Sequence, residues 1–227
     1  MPQTQTEAYR VARFGNEGEP IVIIDDFSAE PDALVDAAMQ VSFSGGGPNY
    51  PGIRAPANAR YLKSRAALLR SIFVDVFGMR DTAKFAECNY SLVTTPPQDL
   101  APVQRLPHFD SPDPACLAAL HYLCKPEDGG TAFYRHRATG HERITEARMP
   151  GYFETLKREV SASPPPLAYP QGSTDLFEQI GRVEAAFNRL VIYRGQTLHS
   201  GDIPQSLPLS GDPKTGRLTL NTFMFVR

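Results

Sequence analysis

The apolar and polar positions in the first third of the chain predict one short strand and two helices. Residues 21–24 are consecutive β-branched residues, which favours a buried strand. Ser28 stands where a helix N-cap belongs, and the apolar residues after Pro31 recur at intervals of three and four. The same spacing predicts a second helix over about residues 61–79. The intervening stretch 45–56 is rich in Gly and Pro and is typical of an irregular loop.

From residue 84 onward, short apolar runs are separated by Gly and Pro, as expected for a series of strands. An insertion at about 136–175 interrupts these runs with a predicted helix at 150–160 and a cluster of prolines. Helices first and many short strands afterwards favour an α+β fold with a β-sandwich or jelly-roll core. We expect the N-terminal helices to brace one sheet from outside, so that the open end of the core forms a ligand pocket.

Length and composition fit a single domain over residues 1–227. Hydrophobic residues make up 41% of the 227, enough to bury one full core. We divide the domain into a support region at 1–83 and a core at 84–227. The formal net charge of −2 gives no reason to expect nucleic acid or an acidic membrane as a partner.

The N-terminus and the cysteines bear on the cellular compartment. The N-terminal segment lacks the apolar core of a signal peptide, and no later run is long enough to span a bilayer. Cys88, Cys116 and Cys124 form no CxxC pair, and reduced thiols are the simple interpretation. We therefore expect a cytoplasmic protein with no membrane partner.

The most informative short motif is His108-Phe109-Asp110. On a strand, residues two apart point to the same face, so His108 and Asp110 can share one metal ion. His199 follows an apolar run and is the natural third ligand. Two imidazoles and one carboxylate on one face of an octahedron leave three positions open, which suits a redox iron, whereas a structural zinc site would be closed.

These three residues belong to a longer ordered pattern. The pattern continues with Tyr122-Leu123, Gly129-Gly130-Thr131-Ala132-Phe133, His199-Ser200-Gly201 and Arg217. In this order the region from about 84 to 227 resembles the prolyl-4-hydroxylase-like members of the Fe(II)/2-oxoglutarate-dependent dioxygenase superfamily. The N-terminal third is similar to a bacterial branch of unknown substrate. The resemblance implies a double-stranded β-helix core of the jelly-roll or cupin type.

The resemblance also implies a chemistry. His108, Asp110 and His199 would hold Fe(II), with 2-oxoglutarate as cosubstrate and dioxygen as the oxidant. Hydroxylation of an unactivated C–H bond would be the default outcome, on an amino acid, a peptide or a small metabolite. Nucleic acid is a less favoured substrate because of the charge balance.

The resemblance assigns the cosubstrate site to three further residues. Arg217 would clamp the far carboxylate of 2-oxoglutarate, because a guanidinium binds a carboxylate bidentately. In the family this basic residue usually follows the distal histidine more closely, so Lys214 and Arg194 stay as alternatives. Tyr122 matches the family tyrosine that helps to hold the cosubstrate, and Tyr90 is a second candidate with looser spacing. Both tyrosines also fit ordinary core aromatics.

Two other functions fit parts of the pattern. A jelly-roll binding protein that lost turnover would keep the pocket, but it has no reason to retain three ligands. A zinc-dependent hydrolase could use the same three residues to activate water, but it leaves Arg217 and the Gly-Gly-Thr turn unexplained. The loops at 44–58, which contain Tyr50 and Arg54, and at 163–170 are candidates for lids over the pocket.

Overall fold

The computed structural model describes residues 9–79 and 83–226. The strands are β1 (Arg10–Arg13), β2 (Pro20–Ile24), β3 (Ser44–Gly45), β4 (Gly52–Pro56), β5 (Ala83–Val93), β6 (Cys116–Tyr122), β7 (Gly130–His136), β8 (Phe177–Glu184), β9 (Arg189–Arg194), β10 (His199–Asp202) and β11 (Leu218–Val226). The α-helices are α1 (Pro31–Ala38), α2 (Ala66–Asp75) and α3 (Met149–Ala162). Short 3-10 helices cover Ala59–Arg65, Pro97–Asp99, Pro102–Arg105 and Pro126–Asp128.

The strands form two antiparallel sheets. The larger sheet has the order β1-β2-β9-β6-β11-β5-β4-β3, and the smaller has the order β10-β7-β8. Strands that are distant in sequence lie side by side, since β11 pairs with both β5 and β6. The mostly antiparallel sheets with few helices agree with the β-rich architecture expected from the alternation after residue 84.

One face of the larger sheet is covered by the N-terminal helices. One side of α2 is buried and carries Leu69, Ile72 and Phe73. This side packs against Leu117 of β6 and Ile192 of β9. Burying side chains of this size stabilises the fold by roughly 1.5–3 kcal/mol each. The helices therefore brace the sheet from outside, as the sequence pattern predicts.

The helix boundaries differ from those predicted. Glu30, not Ser28, is the N-cap of α1, because Pro31 takes the first helical position. Ser28 instead accepts a hydrogen bond from the Glu30 amide. The second predicted helix divides into the 3-10 turn Ala59–Arg65 and the shorter α2.

The loop predicted at 45–56 is partly a sheet edge. β4 pairs with β5, and Arg54 lies opposite Ser91. Gly and Pro hide this strand in the sequence, because its partner strand supplies the pairing that its own composition does not favour. The support region thus contributes four strands, β1 to β4, to the larger sheet.

The insertion packs more tightly than its polar sequence suggests. His136 is fully buried at the end of β7. Its Nε2 lies 2.8 Å from Glu159 of α3, and its Nδ1 lies 2.9 Å from the Thr139 hydroxyl. These two partners satisfy the imidazole, which lets α3 dock on the smaller sheet. Among the described residues, no helix has the length and apolarity needed to cross a membrane.

Candidate metal and cosubstrate site

Backbone hydrogen bonds bring the two parts of the proposed metal site together. His108 and His199 exchange two backbone hydrogen bonds of 2.8 Å, and the Asp110 amide donates to the Gly195 carbonyl at 2.7 Å. His199 is the first residue of β10, whereas His108 forms only an isolated bridge outside the named strands. The expectation that His108 and Asp110 lie on one regular strand is therefore wrong, because pairing to the 195–199 segment holds them instead.

The side chains of the three residues converge. His108 Nε2 lies 3.8 Å from Asp110 Oδ1, and His199 Nε2 lies 3.6 Å from Asp110 Oδ2. One ligand atom from each residue lies within 4.8 Å of the others. Since metal–ligand bonds are about 2 Å long, one ion can contact all three with small side-chain adjustments.

The hydrogen bonding of His199 prepares its free nitrogen for a metal. Its Nδ1 lies 2.9 Å from the Thr197 carbonyl. A carbonyl oxygen only accepts, so Nδ1 carries the hydrogen and Nε2 keeps its lone pair. The Tyr193 ring packs 4.7 Å from the His199 ring, centroid to centroid, and fixes its orientation.

The electrostatics also favour a cation at this point. Burial lowers the pKa of His199 to about 4, so its imidazole is neutral at physiological pH. Burial and the neighbouring His199 lower the pKa of His108 as well. Burial raises the pKa of Asp110 to about 6. A bound cation would favour its ionised form.

The donor set fits a divalent first-row metal. Asp110 Oδ2 is buried and has no hydrogen-bond partner among the described residues. A buried carboxylate oxygen without a partner is costly, and a metal ion in contact with it would remove that cost. Two neutral imidazoles and one carboxylate are suitable ligands for iron.

The three residues border a cavity of about 860 Å³. Its walls come from both sheets, the segment 103–111 and the start of α3. Arg217 is buried in the cavity wall, where its Nε donates to the Asp128 carbonyl at 3.0 Å and its Nη2 to the Gly130 carbonyl at 2.8 Å. These bonds leave the remaining edge of the guanidinium available to a ligand.

The turn that holds Arg217 depends on glycine. Gly129 has a φ of 106°, and a Cβ at this residue would collide with the Asp202 carbonyl of β10. Glycine accepts both the positive φ and the close backbone approach. The Gly-Gly turn thus sets the distance between β7 and β10 and presents the carbonyls that orient Arg217.

The sequence matches one family over nearly its whole length. Residues 5–224 match the model described as "Family of unknown function (DUF6445)". The chain belongs to the DUF6445 family. A search of functionally curated proteins finds no match for this DUF6445 member.

Solved structures resemble this DUF6445 member at low sequence identity. The non-heme alpha ketoglutarate dependent epimerase SnoN from nogalamycin biosynthesis has a TM-score of 0.50 and 13% identity over 92% of this chain and 78% of its own. HygX from Streptomyces hygroscopicus, with nickel, 2-oxoglutarate and hygromycin B bound, has a TM-score of 0.49 and 12% identity over 92% and 84%. A 2OG-Fe(II) oxygenase family oxidoreductase from Burkholderia pseudomallei has a TM-score of 0.44 and 14% identity over 90% and 84%. The likeness to SnoN shows the fold, and it confirms at that level the resemblance seen in the sequence.

The other candidate residues lie in different surroundings in this DUF6445 member. Tyr122 is fully buried behind the cavity wall, and its hydroxyl lies 2.6 Å from that of Thr131, which does line the cavity. Tyr90 packs among Leu92 and Leu220 on the helix-covered face of the sheet. A role for Tyr122 through Thr131 stays a prediction, and the position of Tyr90 does not favour a direct contact with cosubstrate.

The two alternative clamps lie outside the cavity. Lys214 is 60% exposed and lies 3.9 Å from Asp36. Arg194 donates to the carbonyls of Pro114 and Phe77. Of the three basic residues considered, only Arg217 lines the cavity.

The structure also adds residues that the motif search did not assign. Tyr50 and Arg54 were noted only as polar groups in a loop, yet both line the cavity, as does Asn221 of β11. The sequence pattern could have indicated Asn221, since it is a polar residue at an alternating position within an apolar strand.

Proposed function

We propose that this DUF6445 member is an Fe(II)- and 2-oxoglutarate-dependent oxygenase that acts on a small-molecule substrate. The observation that carries the proposal is the convergence of His108, Asp110 and His199 on one point at the edge of a large cavity. A trio of this composition leaves coordination positions open on the cavity side. Arg217 in the same cavity supplies a fixed cation for a carboxylate.

The proposal gives each residue a task. His199 and His108 present neutral Nε2 atoms to the metal, and Asp110 supplies the anionic ligand. Arg217 binds the far carboxylate of 2-oxoglutarate with the edge of its guanidinium that the Asp128 and Gly130 carbonyls leave free. When bound, Fe(II), 2-oxoglutarate and dioxygen together supply the oxidising chemistry, with succinate and carbon dioxide as coproducts.

The fold supports the same proposal. We infer that the two sheets are the halves of a jelly-roll core, with the metal ligands at the mouth between them. Hydroxylation of an unactivated C–H bond is the reaction we expect. The Asp110 carboxylate occupies the coordination position that a halogenating enzyme of this kind leaves free for chloride. The cavity size suits a small molecule together with 2-oxoglutarate.

Succinate release from 2-oxoglutarate by the purified, iron-loaded protein tests this function. We expect wild type to release succinate in air, and we expect Asp110→Ala to release none above the protein-free background. Equal release by both proteins would refute the assignment of the metal site. Zinc bound at one equivalent, with hydrolysis of esters and no succinate, would favour the hydrolase alternative instead.

A further inference from the structure

Beyond the metal ligands, the cavity contains a second charged group that the proposed function does not use. Arg54 of β4 lines the cavity, with a side chain that is 25% exposed. Its Nε is buried without a hydrogen-bond partner among the described residues. A buried guanidinium donor without an acceptor is costly, which indicates that a ligand completes it.

The position of Arg54 is well defined. Its backbone pairs with Ser91 of β5 on one side and with Ser44 of β3 on the other. Its guanidinium carbon lies 4.1 Å above the centroid of the Tyr50 ring, a cation–π contact that orients the plane of the group. Arg54 is therefore held in place while its hydrogen-bonding capacity stays partly unused.

The acidic neighbour of Arg54 does not satisfy it. Glu87 Oε1 lies 3.8 Å from Arg54 Nη1, which is too long for a hydrogen bond. Glu87 is 48% exposed and accepts a hydrogen bond from Asn89. This loose contact leaves Arg54 available to a better acceptor.

Arg54 lines the same cavity as the metal ligands His108, Asp110 and His199. A molecule bound to Arg54 would therefore lie in the same cavity as the metal. Because the Glu87 carboxylate lies 3.8 Å from Arg54 Nη1, a monoanion such as a carboxylate fits better beside Arg54 than a phosphate dianion.

Part of the cavity lining is apolar. Val103 and Phe153 line it and are 49% and 50% exposed. Phe109 also lines the cavity, and its ring centroid lies 5.9 Å from that of Phe153. Exposed apolar side chains at a cavity mouth indicate an apolar ligand surface.

We propose that the primary substrate is an amphipathic monocarboxylate, whose carboxylate binds Arg54 and whose apolar part packs against Val103, Phe109 and Phe153. The proposal rests on the proposed function, since the cavity must also hold Fe(II) and 2-oxoglutarate. Arg54 is then a specificity-determining residue, distinct from the cosubstrate clamp Arg217. Glu87 sets the upper limit on the negative charge that the site accepts.

Calorimetry on the anaerobic complex of the protein with Fe(II) and saturating 2-oxoglutarate tests the substrate class. The probes are matched acids and amides: phenylacetate with phenylacetamide, hexanoate with hexanamide, and N-acetyl-L-leucine with its amide. We expect at least one acid to bind about tenfold or more tightly than its amide, the discrimination that one charge-assisted hydrogen bond provides.

The variants have effects of opposite sign. Arg54→Gln should remove the preference for the acid while leaving amide affinity unchanged, and Arg54→Lys should restore part of it. Glu87→Gln should tighten acid binding, because it removes a competing negative charge. Arg70→Gln is the matched control, since Arg70 is exposed on α2 away from the cavity, and it should change nothing.

The visible absorption of the iron–2-oxoglutarate chelate, recorded on the same samples, separates the two ways to fail. No chelate band in wild type would contradict the proposed function itself. Three results with a normal band would overturn the substrate class alone. They are that no acid binds, that acid and amide bind equally, or that Arg54→Gln keeps the preference for the acid. A band lost specifically in Arg54→Gln would make Arg54 a cosubstrate residue and would also overturn it.

Discussion

The two faces of the larger sheet are made by the same strands and carry opposite chemistry. Along β11, Leu218, Leu220 and Met224 belong to the helix-covered cores. The alternate residues Thr219 and Asn221 line the cavity. The covered face is mainly apolar, with His121 as a buried polar exception. The cavity face carries polar side chains such as Asn221, whose Oδ1 has no hydrogen-bond partner among the described residues.

This difference shows how one alternating pattern serves stability and binding at once. A strand that places every second residue in an apolar core is fixed in register, because a slip by one residue would exchange the two faces. The residues between are then free to be polar, and their positions are as well defined as those of the core. We expect variants on the two faces to separate ligand binding from stability.

The largest effect is expected for a metal ligand on the cavity side. His199→Ala removes one of three ligands and should weaken Fe(II) binding by more than ~100-fold, beyond the loss seen for outer partners of metal ligands. Anaerobic calorimetry measures the affinity, and circular dichroism should show an unchanged fold. Wild-type affinity in this variant would place the metal elsewhere.

On the covered face, Leu220→Ala should lower stability without changing iron binding. Leu220 is 1% exposed, and its truncation leaves a cavity that costs about 2–5 kcal/mol of unfolding free energy. Iron affinity of the folded protein should stay at the wild-type value. Urea unfolding measures the stability.

The adjacent Asn221→Ala is the matched control for this pair. It removes a buried oxygen that no residue in 9–79 or 83–226 hydrogen-bonds, so it should cost less than about 1 kcal/mol. Equal losses for Leu220→Ala and Asn221→Ala would break the distinction between the two faces.

Arg217→Gln sharpens the assignment within the cavity. Losing the guanidinium should weaken 2-oxoglutarate binding by about 2–3 kcal/mol, the strength of a hydrogen bond between charged groups. Titration of the anaerobic iron protein with 2-oxoglutarate, followed by visible absorption, measures this loss. Lys214→Gln should leave 2-oxoglutarate affinity unchanged. A loss of this affinity in Lys214→Gln but not in Arg217→Gln would assign the clamp to Lys214.

A further effect, on the pH dependence of stability, concerns His121, a buried polar residue on the covered face. Burial lowers its pKa to about 4, while its Nε2 lies 3.0 Å from Asn188 Oδ1. The unfolded state has the ordinary pKa of about 6.5 and binds more protons below it, so this contribution to stability is present above pH ~6.5 and is lost towards pH ~4.

Between pH 7 and 5 the loss from His121 should be about 2 kcal/mol. Urea unfolding at several pH values should show a shallower pH dependence for His121→Leu than for wild type. His108 and His199 contribute in the same direction, so the difference between the two proteins is the relevant quantity. Identical pH dependence would mean that His121 is not held neutral.

The sequence was most informative where chemistry needs a particular residue type at a particular spacing. His108, Asp110 and His199 were found by motif and do converge, and Arg217 lies in the same cavity. Arg54 was harder to place, because Gly and Pro around it are typical of a loop, and only pairing with β5 makes β4 a strand. The burial of His136 could not be predicted, because its partner Glu159 lies on a helix distant in sequence. Tertiary partners of this kind are not encoded in local pattern.

The central claim is that three side chains hold one iron ion beside a bound 2-oxoglutarate. The most direct measurement is the visible spectrum of the anaerobic wild-type protein after addition of one equivalent of Fe(II) and then 2-oxoglutarate. We predict a chelate absorption band that saturates with 2-oxoglutarate and is absent from Asp110→Ala and His199→Ala. Iron bound at one equivalent without such a band, or a band that persists undiminished in both variants, would contradict the account.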